Sequence, residues 1–127
     1  MNKKDPAFIV KRFNDFINDR DIDSLTALMS ESHIFIDSSD EIHRGVKVMT
    51  KEWMDFFKQF PDYQNHFTYV ETRGNLVLIL GYSTCSYNPL NGPAIWTAKV
   101  DNDLVSEWRV YMDTPGNREK LKIASTV

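Results

Sequence analysis

The apolar positions change period halfway along the chain. Asp5-Pro6 reads as an N-cap followed by proline at the first helical position, and Ile9, Phe13, Phe16 and Ile17 then recur at three- and four-residue intervals. This spacing predicts an amphipathic helix to about residue 19. Asp21 caps a second, shorter helix with Leu25, Leu28 and Met29 on its apolar face, so the two form a hairpin. Gly45 then breaks the chain, and Met49, Trp53, Phe56, Phe57 and Phe60 define a third helix that Pro61 ends. Its inward stripe is mostly aromatic.

Beyond that helix the period becomes two. Strands are expected at about 64–73, 76–87, 94–101 and 104–113, with tight turns at Gly74-Asn75 and Asp101-Asn-Asp103 and a longer loop along Asn88-Pro-Leu-Asn-Gly-Pro93. On the last strand Leu104, Trp108, Val110 and Met112 are expected to face inward, and Val105, Glu107, Arg109 and Tyr111 outward. Helices first and an antiparallel meander second predict an α+β fold in which three N-terminal helices pack on the concave face of a curved antiparallel sheet. Residues 1–127 are expected to form one domain.

Composition narrows the partners. With 127 residues, 42% hydrophobic and 26% charged, the chain can bury a core without disulfide or metal staples and does not read as disordered. A net charge of −3 supplies no basic surplus for phosphates, so no nucleic-acid partner is expected. The stretch MNKKDPAF is not followed by an apolar leader region, and the aliphatic run Leu76 to Leu80 is far too short for a membrane span. A cytoplasmic protein with no membrane partner is the expectation. The single Cys85 cannot form an internal disulfide and reads as a buried small thiol. Neither Cys85 nor His33 nor His66 has a neighbour at metal-ligand spacing, so no metal and no other cofactor is expected.

The candidate chemistry lies in HIFIDSSDEIHRG, from His33 to Gly45. Ile34, Phe35 and Ile36 lead into Asp37, and an inward Asp37 would sit in apolar surroundings that raise its pKa toward a range useful for proton transfer. The same residue also reads as an acid at a strand end that accepts hydrogen bonds from the Ser38-Ser39 turn. His43, six residues on at the same strand parity, could shuttle a proton or orient a ligand, or sit partly exposed at a bend. The rings of Phe13, Trp53, Phe56, Phe57, Phe60, Tyr82, Trp96 and Trp108 can form the core, the wall of a pocket for a flat apolar ligand, or both. Among them Phe13, Trp53, Phe57, Tyr82, Trp96 and Trp108 are the candidate ligand contacts.

The order of elements resembles the nuclear transport factor 2-like superfamily, particularly its SnoaL-like and ketosteroid-isomerase-like branches. The residues that carry the resemblance are Asn18-Asp-Arg-Asp-Ile-Asp-Ser-Leu25, the strand ending at Asp37, the His43-Arg-Gly45 bend before an aromatic helix, and the hairpin from Asp101 to Asp113. The resemblance implies a cone of about five to six strands with a central cavity between helices and sheet. It also places Asp37 on the proton-shuttle position of ketosteroid isomerases. Phe13 falls on the position of their tyrosine donor and Trp96 on that of their acidic donor. Losing one oxyanion donor costs about 10²–10³ in rate, so ketosteroid isomerisation is not expected. Limonene-epoxide hydrolases look similar along Trp108 to Asp113. Their catalytic acid falls at Val110, however, and their acid–arginine–acid relay has no counterpart along Gly81 to Tyr87, so epoxide hydrolysis is not expected either.

Three functions stay open at this point. One is a small metal-free isomerase, cyclase or dehydratase acting on a hydrophobic molecule, with Asp37 as general acid/base and His43, Tyr82 or the Trp96 N–H as polar helpers. Asp113, a second acid that could serve a cyclase, reads as structural. The other two are a non-catalytic module that binds a small hydrophobic ligand and a dimeric interaction domain. A homodimer through the outer sheet face, with Arg109 and Tyr111, fits all three.

Overall fold

Asp5 caps the first helix as the sequence predicts, its side chain accepting from Ala7 N–H at 3.0 Å. The computed structural model describes residues 5–123, so Lys3 and Lys4 of the stretch MNKKDPAF lie outside the described residues. Helix α1 spans Pro6–Asp19 and ends at Arg20, whose left-handed backbone, φ 58°, turns the chain into the Asp21 cap of α2, Ile22–Ala27. Met29, expected on that second helix, instead opens strand β1, Met29–Ile36. A short strand β2, Ile42–Arg44, pairs back on β1, and Gly45 at φ 97° leads into α3, Val46–Gln59.

The second half follows the predicted meander closely. It comprises β3 Gln64–Arg73, β4 Leu76–Thr84, β5 Gly92–Asp101 and β6 Leu104–Met112, with a single 3-10 turn at Asn88–Leu90 between β4 and β5. Asn102 and Asp103 both take positive φ, at 52° and 62°, as a two-residue hairpin turn requires. The six strands form one curved sheet in the order β2-β1-β6-β5-β4-β3. One pairing departs from the antiparallel expectation: β1 runs parallel to β6, so the sheet is mixed. The long connection through α3 and the meander makes that pairing accessible. A fourth helix, α4 at Pro115–Lys120, was not legible because Pro-Gly-Asn-Arg-Glu-Lys carries no apolar stripe. Arg73 at the end of β3 donates to the carbonyls of Leu121 and Lys122, tying the following chain back to the sheet.

The core lies between α1, α3 and the inner face of the sheet. Val10, Phe13 and Ile17 from α1 meet Met49, Trp53 and Phe57 from α3 and Val77, Ile79, Trp96, Ala98 and Trp108 from the strands. Apart from Ala98, each such side chain stabilises the fold by about 1.5–3 kcal/mol or more when fully buried. Val105, expected to face outward, is also buried in this cluster. The cause is a bulge: Lys99 pairs with Glu107 but Val100 pairs with Val105, so Ser106 is the extra residue and the alternation slips across it. Met112, expected inward, is exposed at the strand end. Among the described residues no helix is long and apolar enough to cross a membrane.

Candidate active site

A pocket of about 570 Å³ opens beside this core, between α3 and the sheet. Its aromatic wall is Phe35 from β1, Trp53 and Phe56 from α3, Trp96 from β5 and Trp108 from β6, with Val110 beyond. Residues 89–93 and the end of β6 through Asp113 form its rim. Trp96 and Val110 face each other across the β5–β6 ladder, so strand pleating alone puts them on one face. Met49, Trp53 and Phe56 fall on one side of α3 by helical spacing.

Helix α3 also brings an acid into that wall. Glu52 lies three residues after Met49 and four before Phe56, and it lines the pocket with them. His43 stands behind it on β2. Its Nδ1 lies 2.9 Å from Glu52 Oε1, and its Nε2 lies 3.1 Å from Asp37 Oδ2. The hydrogen bond to Asp37, aided by the charges of Glu52, Asp37 and Glu41, raises the His43 pKa against the opposing effect of burial. Nε2 is hydrogen-bonded to Asp37, whereas Nδ1 faces Glu52 as an ion-pair contact that attracts when the ring is protonated.

Asp37 occupies a different place from the one its parity suggests. It follows the last residue of β1, with 27% of its side chain exposed, and does not line the pocket. Its Oδ1 accepts from the backbone N–H groups of Ser39 at 2.9 Å and Glu41 at 3.0 Å. Burial pushes its pKa up, but the hydrogen bonds from His43, Glu41 and Ser39 outweigh that and hold the carboxyl below its ordinary value. The expected upward shift is therefore overturned, and the turn-bonding reading describes the residue. Asp37, Glu41 and His43 place their ligand atoms within 4.8 Å of one another, so these are the residues that could hold a cation. No sequence spacing signalled them as a group.

A second polar patch meets the pocket at Tyr63 and Ser83. The Ser83 hydroxyl donates to Asn65 Oδ1 at 2.8 Å, which commits its proton, so the Tyr63 hydroxyl 3.1 Å away donates to Ser83 Oγ. The Asn65 side chain also bonds the phenol, and burial raises the Tyr63 pKa, keeping it neutral. Asn65 is itself held by Asn18, whose Oδ1 accepts its backbone N–H at 2.8 Å.

The other expected contacts divide. Trp53, Trp96 and Trp108 line the pocket, whereas Phe13 and Phe57 are buried in the core and do not reach it. Phe13 packs on Trp108 at 4.8 Å between ring centroids and also meets His33. Tyr82 is 43% exposed and stacks on His66 at 4.7 Å, outside the pocket. Tyr111, expected outward, lines the pocket rim, with Arg109 lying 4.6 Å from its ring and donating to Asp40 at 2.7 Å. Asp113 is at the rim and is bound by both Arg118 donors, which fits its structural reading. Cys85 is only partly buried, because its thiol turns toward Asp62 Oδ1 at 3.3 Å in an exposed loop. The residues that sequence reasoning missed are Glu52, Tyr63 and Ser83. An acid within the aromatic stripe of α3 was the available signal for Glu52.

Residues 10–126 match the family described as SnoaL-like domain. Among solved structures, an uncharacterised cystatin-fold protein from Novosphingobium aromaticivorans has a TM-score of 0.77 at 14% identity, covering 87% of this chain and 100% of that one. A protein from Shewanella putrefaciens, provisionally described as a SnoaL-like polyketide cyclase, has a TM-score of 0.76 at 16% identity, covering 95% and 88%. An LEH-like epoxide hydrolase from M. tuberculosis has a TM-score of 0.75 at 16% identity, covering 85% and 82%. At these identities the likeness is one of fold. No curated protein sequence matches the chain.

Proposed function

The chain belongs to the SnoaL-like domain family, and on that premise we propose that it binds a small hydrophobic molecule in the aromatic pocket and moves a proton on it. The observation that carries the reading is the position of Glu52: this acid lines the pocket, and its carboxylate contacts His43, which Asp37 holds in turn. Glu52 is the group that takes a proton from the ligand and returns it to another atom, the step shared by isomerisation, cyclisation and dehydration. His43 orients Glu52 and stabilises its charge. Asp37 becomes a positioning residue, since its two oxygens are already engaged by the turn and the imidazole.

Binding without turnover is the second reading. It is favoured by Phe13, which occupies the core where the related isomerases carry a donor and so leaves no hydroxyl there to stabilise an oxyanion. Solvent exchange separates the two. In D₂O, a panel of apolar ring ketones should gain deuterium at carbon only with the protein present, and Glu52→Gln should abolish that gain while retaining binding. Exchange that persists in Glu52→Gln would remove Glu52 from the chemistry; binding with no exchange by the unaltered protein would select the binding module. The homodimer is proposed to use the outer sheet face, where Tyr69 and Tyr82 are exposed. Sedimentation that finds only monomer would dismiss it.

A further inference from the structure

The charge at the pocket is one-sided. Among the described residues that line it, the charged ones are Glu52 and Asp113, both acids, and no lysine, arginine or histidine joins them. Asp113 is offset locally: its Oδ1 accepts from Arg118 Nε at 2.6 Å and its Oδ2 from a terminal guanidinium N–H at 2.8 Å. Among the described residues Glu52 has no such private counter-ion. The imidazole that faces it is also hydrogen-bonded to Asp37, and Glu41 brings a third carboxylate within reach of the same ring. Three carboxylates share one imidazole, so the group keeps net negative charge even with the ring protonated. Glu52 Oε1 takes the His43 contact.

The neutral parts of the wall have the same preference. Phe35, Trp53, Phe56, Trp96 and Trp108 surround the space with rings whose faces carry negative potential. At the far polar patch, the proton of Tyr63 is committed to Ser83, because the proton of Ser83 is committed to Asn65. The phenol therefore has no proton to give the pocket. An incoming molecule meets an acidic side chain among aromatic rings, a combination that favours positive charge.

We propose that the pocket takes an apolar organic cation, an ammonium group carried on a ring or hydrocarbon body, and turns away carboxylates built on the same body. This rests on the reading of the pocket as a ligand site and adds the class of ligand. Desolvated contact of an ammonium group with aromatic faces and a carboxylate separates it from a neutral isostere by about tenfold or more in affinity.

The test is calorimetric titration of the full chain with three naphthalenes that differ in one substituent: aminomethyl, hydroxymethyl and carboxylate. The aminomethyl compound should bind about tenfold tighter than the hydroxymethyl one, and the carboxylate should bind weakest. Glu52→Gln should erase most of the preference for the amine over the alcohol, whereas Tyr63→Phe should retain it. Because Glu52 is 41% exposed, its substitution leaves the fold intact even if Tyr63→Phe does not. A carboxylate or alcohol that binds as tightly as the amine overturns the cation preference alone. If no member of the series binds, the ligand-site reading fails and the preference fails with it.

Discussion

His43 Nδ1 lies 2.9 Å from Glu52 Oε1, and that contact joins the β1–β2 hairpin to helix α3 across the edge of the pocket. Neither residue explains the other in the sequence, where they are nine positions apart on different elements. The imidazole reaches Asp37 with its other nitrogen, so one ring ties a strand-end turn to a helix face. The arrangement favours the charged form of His43 and fixes the position of Glu52, which is what a pocket acid needs if it is to act without being drawn out into solvent.

The first prediction concerns pH. The folded pKa of His43 is raised above its ordinary 6.5, so its stabilising contribution is complete below 6.5 and is lost as pH rises through the folded value. Asp37 has the opposite sign: its pKa is lowered from 3.8, so its contribution is complete above 3.8 and is lost as pH falls through the lower value. Thermal melts of the protein and of His43→Gln should therefore converge on the alkaline side and separate between the two transitions. A constant difference between them at every pH would mean that the imidazole is not charged in the fold.

His33 should titrate in the other direction. It is fully buried, its Nδ1–H donates to Val105 O at 2.7 Å, and its Nε2 is buried with no hydrogen-bond partner among the described residues. Burial lowers its pKa below 6.5 against the smaller opposing effect of the Val105 bond. The unfolded chain thus binds the extra proton first, and stability due to this residue is complete above 6.5 and lost as pH falls toward the folded value. Proton NMR should show the His33 ring still neutral at a pH where the His43 ring is charged. The reverse order would contradict both assignments.

Local periodicity made most of the frame legible, because helices and strands announce themselves within ten residues. Asp5, Asp21, Pro61 and the Asn102-Asp103 turn act on their immediate neighbours, and each stands where its chemistry predicts. The site was less legible because it is made across elements. Asp37 looked like an inward acid by parity, but the chain leaves the strand at Ile36, and a turn supplies its hydrogen bonds. Tyr82 counted as a pocket ring until its register opposite His66 put it on the other side. Glu52 was hidden by the rings around it, since a charged residue next to a hydrophobic stripe usually marks the stripe's edge.

Phe13 and Tyr82 give a direct check on that division. Phe13 is fully buried against Trp108, so Phe13→Ala should destabilise the fold by about 3–5 kcal/mol. Tyr82 is largely exposed, and Tyr82→Ala should cost about 1 kcal/mol or less, mainly through the lost stack on His66. Urea unfolding measures both. Ligand affinity should be unaffected by Tyr82→Ala, and a large loss of affinity there would return Tyr82 to the pocket.

Gly81 carries the sharpest steric constraint in the sheet. A Cβ at this position would lie 2.0 Å from the backbone oxygen of His66 and 3.2 Å from Phe67 Cα, both on the paired strand β3. The obstacle is backbone, next to the bulge between Phe67 and Tyr69, so no side-chain rotation relieves it. Gly81→Ala should therefore cost at least the upper part of the range of about 1–3 kcal/mol usual for overpacking. It should also disturb the neighbouring Tyr63–Ser83–Asn65 contacts, because Asn65 and Ser83 pair across the same ladder two residues away. Gly116→Ala is the internal control: nothing lies within 4 Å of its added methyl, and it sits in helix α4. That change should be neutral or stabilise by up to about 1 kcal/mol. Equal melting temperatures for the two variants would show that β3 can move away from β4 at Gly81, and that the curvature of the sheet there does not depend on the missing side chain.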